Sequence, residues 1–573
     1  MAVSNIDKLP KAPFKNIAIS LSGGGFRATA FHLGILTYLS AKQFNGINLL
    51  ERTRILSTVS AGTFTGVKYV TTLKKGGTIS DFYKSMYTFM NDFDLVTEAL
   101  RYLADDANWK DKKHRSLINA FAYIFNKEFE SENFGLLWKE KPDIHLKEIS
   151  FNATEFNYAL PFYFKKTEVD ETGIGNIKIR IPIEVAKEIR FSDIIAASCC
   201  FPFWFEPINF PDDFTYKGAE KLNDPSLLPT HVYDGDKISY PVGLMDGSIN
   251  DNQGVTSVIE AEERMRRYTE NEKEFRSDDD KSVDLYIISD ASPPRMESYK
   301  RNTENKVRVV GSWNFESLKY YGLTSALIGV IAMVSAFLVS SKTLTIALSV
   351  FGTLDILIAF VLLLFSVGLT RLTRKIGFPE FIIQRLLYFN NLKLGPVYNM
   401  LINRRNSVKK LISDVFIKHM RWFSYERVYG DPQWKTRLIM NAAFELTDEE
   451  VEKRKRKYSK LSKELSEPGA DIILAATEAS AVDTTLWFTQ KELEGNRNKL
   501  NTLIACGQFT MCFNLLEYFE KFIHNENYIE DFNAYDEITK NALDQLHTAL
   551  LEDWQNFKKN PYWMVNELNK QKE

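Results

Sequence analysis

Two stretches, Asn16–Arg27 (NIAISLSGGGFR) and Arg54–Gly62 (RILSTVSAG), decide how this chain is built. In each, a short apolar run stops at Gly- or Ser-rich residues. Apolar residues at helical spacing follow, from Arg27 to Lys42 in the first case and from Ala61 onward in the second. A short continuous apolar run bounded by turn residues reads as a buried strand. Strand, tight turn and helix, occurring twice, predict an α/β fold: a central, mostly parallel sheet with helices on both faces, in three layers. Working outward, Asp284–Ser289 (DLYIIS) reads as another buried strand and as the last of the sheet. Residues 77–140 have a helical, aromatic pattern, and residues 145–210 alternate, with IKIRIPI strand-like. Pro293-Pro294 mark a boundary. Beyond Lys375 the pattern is mainly α-helical, and no internal repeat is present.

The chain has 573 residues, 72 Lys+Arg against 74 Asp+Glu, 45% hydrophobic and 25% charged residues. These values exclude a largely disordered, collagen-like or disulfide-stapled chain. A net charge of −2 gives no basic field for nucleic acid, so no nucleic-acid partner is expected. The length exceeds what one core supports, about 250–300 residues. Cys199, Cys200, Cys506 and Cys512 form no disulfide framework, and the N-terminal residues lack an apolar run of signal-peptide length. A reducing cytoplasm is the expected setting of the soluble parts. The seven histidines have no metal-ligand spacing, and Asp278-Asp279-Asp280 lacks the Gly and Glu of a calcium loop. That run reads as a solvated loop, and neither metal nor cofactor is expected.

One segment departs from these averages. Between Tyr320 and Thr370 only Lys342 and Asp355 are charged. A span needs about 20 apolar residues, so 320–341 and 343–370 read as two transmembrane helices joined by Ser340-Ser341-Lys342. Arg301, Lys306, Arg308 and Lys319 precede the first, and Arg371, Arg374 and Lys375 follow the second. By the positive-inside rule both flanking regions face the cytosol, with Trp313, Phe315, Tyr320 and Tyr321 near the headgroups. Ser325, Gly329, Ala332 and Ala336 form a small-residue stripe suited to close helix approach, within the hairpin or in a homo-oligomer. Gly352, Asp355, Ala359 and Ser366 share a face of the second helix, and an intramembrane Asp should face protein rather than lipid.

Gly23-Gly24-Gly25-Phe26-Arg27-Ala28 fits a dinucleotide turn, but the next strand ends in Thr58-Val59-Ser60, without the acid that would hold a ribose. Backbone amides at a helix start equally stabilise an oxyanion. Val59-Ser60-Ala61-Gly62 then places a serine at a strand-to-helix turn, as in a nucleophile elbow, although serine also serves there as an ordinary N-cap. No histidine stands in triad context; His32 reads as a packed or surface residue. Gly243-Leu244-Met245-Asp246-Gly247-Ser248 supplies instead an aspartate on a glycine-flanked turn.

Taken together, these motifs resemble the patatin-like phospholipase family. Gly23-Gly24-Gly25-Phe26-Arg27 is similar to its G-G-G-x-R motif, and Val59–Gly62 to its elbow. Ala196-Ala197-Ser198 running into Phe201-Pro202, and Asp246-Gly247-Ser248 followed by Asn252, complete the family order. The resemblance implies a Ser60–Asp246 dyad, with Ser60 attacking an ester carbonyl and Asp246 taking its proton. It implies an oxyanion hole at Gly23, Gly24 and Gly25, chiefly through the amides of Gly24 and Gly25. Arg27 would brace the loop through an ion pair. Gly62 matches the elbow; Thr58 replaces a family glycine and requires small neighbours.

The expected organisation is a catalytic domain over 14–295, a linker over 296–319, the hairpin, and a helical cytosolic region over 376–573. Within the last, Lys453–Lys457 reads as part of a mixed-charge helix, since Glu449, Glu450 and Glu452 stand four residues ahead of Lys453, Arg454 and Arg456. The expected activity is hydrolysis of phospholipid or other glycerolipid acyl esters by a membrane-anchored enzyme. The rivals are a non-catalytic lipid-binding scaffold and an acyltransferase using the same dyad. Phe201–Phe210 (FPFWFEPINF) is a candidate for the acyl channel or for the membrane interface.

Overall fold

The computed structural model describes residues 8–109, 113–129, 131–167, 174–202, 204–231, 235, 237–271, 283–292, 299–301, 313–375, 393–457 and 463–570. Asp278-Asp279-Asp280, Pro293-Pro294, Lys306 and Arg308 lie outside them. The chain forms two compact units: residues 1–296 with 415–573, and residues 297–414.

The strands that matter in the first unit are β1 (Ile17–Leu21), β2 (Thr53–Val59), β3 (Glu148–Glu155), β4 (Leu160–Lys166), β5 (Ile208–Phe210), β6 (Val242–Asp246), β7 (Leu285–Asp290) and β8 (Leu438–Ala442). Their order is β8-β7-β1-β2-β3-β4, with two further short strands beyond β4. The pairings from β8 through β3 are parallel. Strand β4 returns antiparallel, and β6 lies antiparallel against the far half of β3 and against β5. All residues of β1 and β7 are buried. Burial on both faces is why these strands read as unbroken apolar runs rather than alternating ones.

The helices that matter are α1 (Gly25–Ala41), α2 (Ala61–Lys74), α3 (Phe191–Cys199), α4 (Val255–Asn271), α5 (Phe315–Leu338), α6 (Lys342–Lys375), α7 (Leu394–Lys410), α8 (Ile417–Tyr429), α9 (Ala470–Ser480), α10 (Lys499–Tyr518) and α11 (Glu537–Lys559). Helix α10 is buried along nearly its whole length and crosses α1 backbone to backbone. A Cβ on Gly34 would lie 2.0 Å from the Ile504 carbonyl oxygen, and one on Gly507 would lie 2.2 Å from that of Phe31. Only paired glycines permit this approach.

Residues 415–573 belong to the same compact unit as residues 1–296. They also add β8 outside β7, so Asp284–Ser289 is not the last strand of the sheet. The charged helix Asp448–Lys457 has the expected mixed pairing, with Lys453 on Glu449 at 3.1 Å and Lys455 on Glu452 at 2.9 Å. Arg454 departs from the expected spacing and turns inward to Glu445 and Glu517, both at 2.8 Å.

In the second unit α5 and α6 form a hairpin. Among the described residues, the segments long and apolar enough to cross a membrane are Ser317–Leu338 and Lys342–Leu364, which overlap the expected 320–341 and 343–370. Their outer faces are bare: Leu327, Ile331, Phe337, Leu357 and Phe360 are all more than half exposed. Core helices of a soluble domain would bury these side chains. The small residues face inward. A Cβ on Gly329 would lie 2.8 Å from the Gly352 carbonyl oxygen, and Ala332, Ala336 and Ala359 are buried. The Ser325 hydroxyl donates to Asp355 Oδ1 at 3.1 Å, so Asp355 faces the partner helix.

Candidate active site

Strand register brings the predicted residues together. Leu21 stands opposite Thr58, so the turn after β1 and the turn after β2 emerge side by side. Val59 stands opposite Asn152, and the next residue of β3, Ala153, faces Asp246 on β6. The result is a hydrogen bond from Ser60 Oγ to Asp246 Oδ2 of 2.8 Å.

Ser60 sits at φ 53°, ψ −125°, a conformation unfavourable for a side-chain-bearing residue. The surrounding contacts hold it. Its amide donates to Ser198 Oγ at 2.8 Å, and Ser198 in turn donates to the Asn152 carbonyl at 2.6 Å. Thr63 lies 2.8 Å from Ser198 and 3.0 Å from Thr58, extending the hydroxyl network. Thr58 is therefore accommodated in two ways. Its hydroxyl joins that network, and its methyl fits against Gly66, where a Cβ would approach to 2.5 Å. Gly62 lets α2 start against β1, since a Cβ there would lie 2.3 Å from the Leu21 carbonyl oxygen.

Asp246 is 1% exposed, and burial pushes its carboxyl up to about 6, against the lowering effect of its hydrogen bonds. The Ser248 amide donates to Oδ1 at 2.8 Å, which leaves Oδ2 for Ser60. A carboxylate so placed can accept a proton from the hydroxyl in near-neutral solution.

The triple-Gly turn lies directly on the serine. A Cβ on Gly23 would come within 3.0 Å of Ser60 Cβ and 2.6 Å of Asn252 Oδ1. Gly24 and Gly25 adopt φ 142° and 63°, which glycine tolerates and other residues resist. The three amides differ. Gly23 donates to the Asn252 carbonyl at 3.1 Å, so its expected oxyanion role is corrected to one of making room. Phe26 donates to the Thr485 carbonyl at 2.7 Å. The amides of Gly24 and Gly25 have no protein acceptor among the described residues and stand at the start of α1, where the helix dipole favours negative charge.

Arg27 is anchored by a backbone carbonyl and stands in the field of two carboxylates, Asp290 and Asp483. It is 5% exposed and donates from Nη1 to the Val482 carbonyl at 3.0 Å. Burial lowers it to about 10, opposed by Asp290 and Asp483. Asp290, at the end of β7, pairs with Arg421 of α8 at 2.8 Å and accepts from the Tyr425 hydroxyl. Against a burial that would raise it, Arg421 and Tyr425 hold Asp290 below the usual carboxylate range. Asp290, Arg421, Tyr425, Val482 and Thr485 are the site-building residues that sequence reading missed.

His32 is packed, with Nδ1 2.6 Å from Ser289 Oγ and Nε2 2.8 Å from the Ser22 carbonyl, and burial lowers it to about 4. It has no contact with Ser60. The four cysteines are free thiols, and no cluster with metal-ligand character occurs among the described residues. Within the aromatic segment Trp204 is 65% exposed, whereas Phe205 packs on Phe121 at 5.3 Å.

No curated protein matches the chain. Residues 19–259 match the family model of patatin-like phospholipase. That match covers β1 through most of α4, and with it the triple-Gly turn, the elbow and the aspartate turn; the chain thus carries a patatin-like phospholipase domain, of a family of lipid acyl hydrolases.

Proposed function

We infer that the protein is a membrane-anchored serine lipid acyl hydrolase that cleaves acyl esters of phospholipids or other glycerolipids. The observation that carries this reading is the Ser60 Oγ–Asp246 Oδ2 hydrogen bond of 2.8 Å beside two unengaged amides. Ser60 Oγ attacks the ester carbonyl carbon as Asp246 removes its proton. The oxyanion forms against the amides of Gly24 and Gly25. Collapse of the tetrahedral intermediate passes the proton from Asp246 to the leaving alcohol. Water, deprotonated by the same carboxylate, then releases the fatty acid from the acyl-serine. Arg27 acts through the loop and not on the substrate. Helices α5 and α6 span the bilayer, with both flanking regions on the cytosolic side by their basic residues. An anchored enzyme meets a bilayer-confined substrate at high effective concentration. The test is lipid product analysis by mass spectrometry with reconstituted wild type and Ser60→Ala, together with fluorophosphonate labelling. Wild type should release fatty acid and label at Ser60. Equal release by Ser60→Ala would overturn the assignment.

A further inference from the structure

Helix α7 has an exposed face that the catalytic reading does not use. Its sequence, LGPVYNMLINRRNSVKK, contains four basic residues and no acidic one. At 100° per residue, Leu394, Val397, Tyr398, Leu401 and Val408 share an arc of roughly 100°. Arg404 and Lys409 stand at the two edges of that arc, and Arg405 lies within it. Tyr398, Leu401, Arg404, Arg405, Val408 and Lys409 are all exposed. An apolar stripe bordered by cations suits a helix lying in a bilayer interface.

The position of α7 within the second unit points the same way. The Leu394 amide donates to the Trp313 carbonyl at 2.7 Å, and Lys393 bridges Asn314. Asn314 is the N-cap of α5, the first apolar helix of the hairpin, and the Trp313 and Tyr321 rings lie 5.1 Å apart there. Helix α7 thus starts where the chain enters the hairpin, at the depth where interfacial aromatics collect. The Tyr299 hydroxyl donates to the Asn403 carbonyl at 3.1 Å and holds the middle of α7 to the same approach segment.

We propose that α7 is an interfacial helix that rests its apolar arc on the leaflet where the hairpin emerges and binds anionic phospholipid headgroups through Arg404, Arg405 and Lys409. This rests on reading α5 and α6 as membrane-spanning. Each basic side chain at an anionic surface strengthens attachment by about fivefold. Removing all three should lower the attached-to-detached ratio on the order of a hundredfold.

The full chain is reconstituted into vesicles of phosphatidylcholine alone or of phosphatidylcholine with phosphatidylserine, and amide deuterium uptake is followed over residues 394–411. Phosphatidylserine should slow uptake there, high salt should reverse the effect, and Arg404→Gln/Arg405→Gln/Lys409→Gln should abolish it. Equal uptake in the two lipid mixtures, or slowing that the triple variant retains, overturns the proposal. Alkaline carbonate extraction in parallel separates the two readings. Release of the protein refutes the spanning hairpin, whereas retention with lipid-insensitive uptake refutes only the role of α7.

Discussion

Substituting Asp246 by Asn should abolish hydrolysis and at the same time stabilise the protein in neutral solution. The carboxyl is buried and raised to about 6, from an ordinary value of 3.8. A raised carboxyl favours folding while it is protonated and loses that contribution as pH climbs through its folded value. From the two values, the penalty for ionised Asp246 is about 3 kcal/mol at pH 7 and less than about 1 kcal/mol at pH 4. Asparagine avoids it without loss of contacts. Its oxygen can take the Ser248 amide at the Oδ1 position, and its nitrogen can donate to Ser60 Oγ from the Oδ2 position. The assay is thermal unfolding of wild type and Asp246→Asn in detergent at pH 7 and pH 4, by intrinsic fluorescence. The variant should melt a few degrees higher at pH 7, with the gain largely gone at pH 4. Wild-type kcat/KM should climb about tenfold per unit up to about pH 6 and then level off. A variant less stable than wild type at pH 7 would refute the claim that desolvation sets the properties of this carboxyl.

Two further substitutions probe the scaffold. Gly66→Ala brings a methyl to 2.5 Å from Thr58 Cγ2 and should cost about 1–3 kcal/mol of stability. Thr58→Ser, which removes that methyl and keeps the hydroxyl bonded to Thr63, should restore most of it in the double variant, by the same unfolding assay. Arg421→Met leaves Asp290 short of its principal cation in a dry setting and should destabilise by about 3–5 kcal/mol. Adding Asp290→Asn should recover a large part of that loss in thermal unfolding, because the uncompensated charge is then gone.

The parts of the site legible in the sequence are those where backbone geometry restricts the residue. Gly24 and Gly25 at positive φ, and Ser60 on a strained turn before Gly62, leave a trace in composition because few residues fit there. The parts that were not legible are held by groups common to every residue. Val482 and Thr485 act on the loop through carbonyl oxygens, more than 450 positions away from Arg27 and Phe26. Strand β8 was hidden for another reason. Its Asn441 is buried and bonded to Thr510 and Asn514, so a polar residue interrupts the apolar run that marks the other parallel strands. Arg421 sits on a helix whose exposed Trp422 and Phe423 blur the amphipathic pattern that would have shown which face is buried.

The hairpin occupies an unusual place in the chain. Parallel neighbours need a crossover connection, commonly one helix. Here β7 ends at Asp290 and its parallel neighbour β8 begins at Leu438, and the intervening chain contains the whole second unit. The chain leaves the sheet at the end that carries the triple-Gly turn, because Leu21 and Ser289 are in register. It returns through α8, whose Arg421 and Tyr425 close on Asp290 and whose Ser424 donates to Asp251 at 3.0 Å. Among the described residues, the sheet, the Ser60–Asp246 hydrogen bond and the Asp290 contacts use residues of the first unit. Replacing that segment with a flexible Gly/Ser linker should therefore give a protein that hydrolyses a short-chain soluble ester within about twofold of wild type, since the dyad is intact. Hydrolysis of lipid in vesicles should fall by about a hundredfold or more, because the high local concentration of substrate is lost. Parallel rates on the two substrates decide the matter. Loss of the soluble activity would mean that the second unit builds the active site rather than delivering it to lipid, and an undiminished vesicle rate would mean that the hairpin does not deliver it at all.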